Sequence, residues 1–133
     1  PGETHNYMTE LHHSVHQRRM IAEINTAYAP DLVLLDAMEA FVDGGPDYGT
    51  KVTPGVIMAA TDRVALDAVG VAILRSFGTT SEVSTGPIFG QAQIRRAADL
   101  GLGAAKPEQV QVITADDRSH DFAARLLDVL AAG

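Results

Sequence analysis

The sequence predicts an α/β domain, built as a three-layer sandwich with a small, mostly parallel sheet and helices on both faces. Three observations lead there. Two short apolar runs, residues 32–35 and 55–60, lack polar alternation, as strands covered on both faces do. Apolar residues recur at helical spacing over 62–77, 88–100 and 119–130. The succession strand, helix, helix, strand between 55 and 114 has the order of a right-handed crossover between parallel strands.

In order along the chain, residues 1–8 are polar and expected to be flexible. From about 9 to 28, Leu11, Val15, Met20, Ile21, Ile24 and Tyr28 follow a helical period, and Pro30 disfavours helix at Ala29. The first strand is expected over 32–37. A loop of about fifteen residues follows, a length more often functional than idle. The second strand is 55–60. Thr61 or Asp62 caps a helix that runs to about Phe77, with Gly78 as its stop. Residues 79–87 are rich in Ser and Thr and suit a loop. A further helix over 88–100 is stopped by Gly101 and Gly103. Val110-Gln111-Val112-Ile113 is the expected third strand, Asp116-Asp117 turn the chain, and Ser119 or His120 starts the last helix. So small a sheet needs an edge completed by a strand not yet visible, by a partner chain (a second copy making a homo-oligomer, for example) or by sequence outside this chain.

Composition narrows the function classes. The 133 residues suit a single domain, 1–133, and the first residue, Pro1, leads us to expect a fragment of a longer protein. Hydrophobic residues make up 46% of the chain, enough for a core, with 5% aromatic residues and no Trp, so Ala, Val, Leu and Ile must fill it. The net charge of -7 argues against nucleic-acid and anionic-membrane partners, which need basic patches. It is compatible with a metal or another cationic ligand. There is no cysteine, hence no disulfide, thiol nucleophile or cysteine-ligated iron–sulfur cluster in this chain. No apolar run approaches the length of a membrane span and no signal peptide is visible, so the cytoplasm is the expected compartment.

The candidate chemistry centres on the end of the first strand. Asp36, Glu39, Asp43 and Asp47 supply oxygen ligands for a hard cation such as Mg²⁺. Gly44, Gly45, Pro46 and Gly49 form a flexible segment whose amides can approach a small anionic ligand. The alternative is a mobile loop with solvated acids. His12, His13 and His16 lie close together, and His12 and His16, four apart on one helix face, have a spacing that can hold a metal. His16 is also a candidate proton carrier. A solvated helix face is the bland alternative. Asp62 suits a helix cap. Asp67 sits among Val64, Val71 and Leu74, so it needs a partner, either Arg63 four residues earlier or a ligand or metal. Arg95 and Arg96 are candidates for an anionic group, or solvent-facing. Together these residues suggest a divalent metal on Asp36 and Asp67, with Glu39, His12 and His16 as alternative ligands, and an anion on the loop. A docking or structural domain is the competing expectation.

Several segments together resemble a widespread family, domain of unknown function 362. They are His16-Gln17, Ile21-Ala22-Glu23-Ile24-Asn25, and residues 30–37. Gly44-Gly45-Pro46 with Gly49, residues 58–68, and Ala98-Asp99-Leu100-Gly101-Leu102-Gly103 complete the set, spanning roughly 12 to 103. The resemblance implies an α/β domain with signature positions Asp36, Gly45, Pro46, Asp62 and Asp67. It also implies a longer parent protein, and in some members a fused ferredoxin-type iron–sulfur module. This cysteine-free chain carries no such module, so a redox link would run through a partner.

Overall fold

The computed structural model describes residues 7–133. Most of the segment expected to be flexible, residues 1–6, lies outside the described residues. Two short helices open the chain, α1 (Met8–His13) and α2 (Gln17–Ile24). Ser14 between them is extended (φ -70°, ψ 141°), so the single helix expected over 9–28 is two. Four strands follow, β1 (Val33–Ala37), β2 (Ala40–Gly44), β3 (Gly49–Val52) and β4 (Val56–Ala60). The remainder is helical: α3 (Arg63–Ser76), α4 (Ser81–Ser84), α5 (Ala92–Asp99) and α6 (Asp117–Ala132).

The chain is a mixed α/β domain, but its sheets are antiparallel. β1 pairs with β4, Val33 opposite Ala60 and Ala37 opposite Val56. β2 pairs with β3 in a separate hairpin. The expectation of a mostly parallel sheet fails for a physical reason. β1 and β4 are joined by a hairpin, not by a helix, and a parallel pair needs a helix-sized crossover. The third expected strand, around 110–113, has no strand partner among the described residues, so the parallel crossover has nothing to close on.

β1 and β4 turn alternate residues to the helices. Val33, Leu35 and Ala37 are half-buried or buried, whereas Leu34 and Asp36 are exposed. Leu35 reaches Gly70 of α3, where an added Cβ would lie 3.3 Å from its Cδ1. The core joins Ala37 to Val64, Ala68, Val69, Ala72 and Ile73 of α3, and to Leu126 and Leu130 of α6. Ile88 and Ile94 close it from the α5 side. Arg75, near the end of α3, donates to the carbonyls of Val83 and Gly86 and fixes the following loop.

Asp62 is the cap that starts α3. Its Oδ1 accepts from the Val64 and Ala65 amides at 2.8 and 2.9 Å, two donors that every helix leaves without an internal partner. Its Oδ2 accepts from the buried Ala104 amide at 2.8 Å, binding the turn after α5 to the start of α3. Gly103 permits this approach, because a Cβ there would press into the Asp62 carboxylate. Asp62→Ala should therefore cost about 2–4 kcal/mol, a cap plus an orphaned buried donor. Gly103→Ala should also destabilise. Urea unfolding of both single variants and the double variant checks this, and the double variant should lose less than the sum, since both act on one junction.

Candidate functional site

The loop residues form a tight turn. Gly44 faces Gly49 across the β2–β3 ladder, and the Gly45 amide donates to the Tyr48 carbonyl at 2.7 Å. Gly44 has φ +76°, and a Cβ on it would meet the Tyr48 carbonyl oxygen at 2.8 Å, so hairpin geometry alone requires glycine there. The Gly45–Pro46 peptide is cis. The hairpin is anchored beyond the far end of α3, where Thr79 Oγ1 donates to the Val42 carbonyl at 2.7 Å. Asp43, Gly44, Gly45, Pro46, Asp47 and Gly49 are all exposed.

The carboxylates expected to act together are dispersed. Asp36 is exposed on the face of β1 that turns away from α3, and its Oδ1 accepts from the Met38 amide at 2.9 Å. Glu39 pairs with Lys51 at 3.2 Å on the surface. Asp67 rises from α3, on the other side of β1. His12 lies in the last turn of α1 while His16 precedes α2, so the break at Ser14 removes the shared helix face expected of them. His13 contacts the Thr9 carbonyl within α1. Among the described residues, no group of three or more His, Asp or Glu side chains is placed to hold a metal ion. Arg96 binds Glu23 of α2 at 2.8 Å, an ion pair between helices, and Arg95 is exposed.

A cleft of about 330 Å³ forms where α2, α3 and α5 meet the free edge of β1. Its walls are mostly apolar, with Ile21, Leu35 and Leu66 among them. Four polar side chains enter it: Asn25, Arg63, Asp67 and Gln93. Arg63 does not pair with Asp67 as its spacing suggests. It donates to Asn25 Oδ1 at 3.3 Å and to the Tyr28 carbonyl at 3.0 Å, lying over the Tyr28 ring. The partner of Asp67 is Gln93, whose Nε2 donates to Oδ2 at 3.2 Å. Gln93 was invisible to sequence reasoning, since only packing of α5 against α3 brings it near.

Asp67 as a residue is exposed, while its carboxyl group stands among the cleft walls. The loss of hydration there pushes its pKa above the ordinary 3.8, and the Gln93 hydrogen bond partly offsets the rise. The cleft thus holds a partly desolvated carboxyl in a mostly apolar setting that Arg63 also lines. Such an arrangement suits a ligand with a cationic or hydrogen-bond-donating group toward Asp67.

A family model described as Domain of unknown function (DUF362) matches residues 1–72, which takes in Asp36, the Gly44–Gly49 turn, Asp62 and Asp67. No curated protein and no solved structure matches the chain.

The titration of Asp67 gives a stability prediction with a definite sign. Its pKa is higher in the folded than in the unfolded chain, so folding is favoured by the protonated form. The advantage is complete below the unfolded value and is lost as pH rises through the folded one. Asp67→Asn keeps an oxygen for Gln93 and removes the charge. It should be more stable than the parent at pH 7, with the gain shrinking toward pH 4, measured as urea midpoints at the two pH values.

Proposed function

The chain belongs to the family of the domain of unknown function DUF362, and from that premise we propose that it binds a small polar ligand in the cleft at Asp67. The observation that carries the reading is the Asp67–Gln93 hydrogen bond in a cavity of ligand size that Asn25 and Arg63 also line. In this reading Asp67 receives a cationic group or a divalent metal, and Arg63 takes a small anion. Asp36 and the exposed turn at Gly44, Gly45, Pro46 and Gly49 stand apart from that cleft. Asp36 is a separate proposed metal ligand and the turn a proposed contact for an anion, with His16 as the proposed proton carrier.

The test is thermal and urea stability with Mg²⁺, Mn²⁺, Zn²⁺, phosphate and acetate in turn. A ligand at a hundred times its Kd adds about 2.7 kcal/mol. The rise with a cation should vanish in Asp67→Asn and the rise with an anion in Arg63→Gln, and both should persist in Asp36→Asn. A cation response that survives Asp67→Asn sinks the cleft reading, and one that vanishes with Asp36→Asn returns the site to the first strand's end.

A second reading, a docking or oligomerisation domain, is favoured by a different observation. The sheet face turned away from α3 is apolar and exposed: Leu34 is 67% and Ile57 68% accessible, and Ile113 near it is 82% accessible. No helix among the described residues is long and apolar enough to cross a membrane.

A further inference from the structure

β4 is hydrogen-bonded along one edge, to β1. Along its other edge runs a gap of about 520 Å³. The far wall is residues 110–116, and the floor is Leu66 and Val69 of α3 with Phe122 and Leu126 of α6. Residues 110–114 have the character of a strand. Val110 is extended (φ -98°, ψ 124°), Val110, Val112 and Thr114 are half-buried, and Gln111 and Ile113 are exposed. Val110 and Val112 pack on the core. Yet among the described residues no backbone hydrogen bond joins 111–114 to β4 or to any other segment. Two strand-like walls therefore face each other across an apolar floor, each with a row of unpaired amides and carbonyls. Backbone groups in such a place need partners.

We propose that this gap receives an extended segment of another polypeptide, which completes the sheet as a central strand between β4 and residues 110–114. The proposal deepens the docking reading and is independent of the Asp67 cleft. A strand is the occupant that satisfies both walls at once, by main-chain hydrogen bonds, while its alternate side chains rest on the apolar floor. A small polar ligand fits poorly, because the one charged side chain lining the gap is Asp116, at its end. Asp116 already caps α6, accepting from the Ser119 amide at 2.9 Å. Charge argues for a foreign segment over a second copy. Both copies would carry a net charge of -7, whereas an uncharged strand with a lysine next to Asp116 is complementary. The strands β1 to β4 of a folded second copy are already paired in its own sheets, so they cannot enter a gap walled on both sides. The occupant would lie beside Ile57 and Ile113, both exposed along the gap.

The test uses a set of short, capped, fluorescent peptides of Val, Ile and Thr with one terminal Lys, each also made N-methylated at its odd or at its even residues. Anisotropy reads affinity, and amide hydrogen exchange reads protection in β4 and 111–114. A central strand donates to both neighbours, so either methylation pattern should weaken binding by about tenfold or more. Asp116→Asn, which keeps the cap oxygen, should weaken binding severalfold at low salt. Loss with only one methylation pattern means addition to a single open edge and overturns the proposal. Loss with neither means unspecific apolar contact and overturns it too. Failure of the whole set to bind at millimolar concentration also overturns it. Sedimentation then separates the cases, since self-association without peptide binding would leave the docking reading standing.

Discussion

The Asp62 carboxylate joins parts of the chain that sequence separation keeps far apart. One oxygen supplies the missing acceptor for the first amides of α3, and the other holds the turn that follows α5. Because α3 carries the largest share of the core, the position of its first turn sets where Val64, Ala68 and Ile73 meet β1 and α6. The same junction fixes Leu102 and the start of α3 as neighbouring walls of the Asp67 cleft. Asp62 thus shapes the cleft without lining it.

Legibility followed the range of the forces involved. The Asp62 cap and the helix after it were readable because a capping residue and an apolar stripe are local features. The spans 32–37 and 55–60 were readable as strands for the same reason, and both pair as β1 and β4. Their antiparallel direction was hidden because β2 and β3 were not seen. The signal existed: Phe41-Val42 and Lys51-Val52 flank the Gly-rich stretch as the arms of a hairpin. The glycines also suit a ligand loop, and in the fold Gly44 and Gly49 meet at the turn of the β2–β3 hairpin. Two long-range facts had no local trace. One is Gln93 beside Asp67, and the other is the absence, among the described residues, of a strand partner for residues 110–113.

That absence and the strand composition bear on each other. Leu34 and Ile57 are apolar where a solvent-facing sheet would alternate to polar residues, so the strands have the chemistry of a covered layer while the described chain leaves them bare. The same face bears Asp36, whose carboxylate is held locally by the Met38 amide. Asp67 lies on the helix side of the sheet. The Asp67 cleft and the exposed sheet face meet at Leu34, and Leu66 lies between the cleft and the gap beside β4, so the two surfaces adjoin.

The hairpin between β1 and β4 also bears on how the chain reaches its fold. Bringing Ala37 to Val56 through a featureless loop would carry a closure entropy that grows with loop length. Pairing β2 with β3 first replaces that long closure with two short ones, from Ala37 to Ala40 and from Val52 to Val56. The hairpin is made of near neighbours, so it belongs to the fast, low-contact-order events of folding. The turn glycines thus do more than shape the hairpin: by letting it close, they shorten the loop across which β1 and β4 must pair.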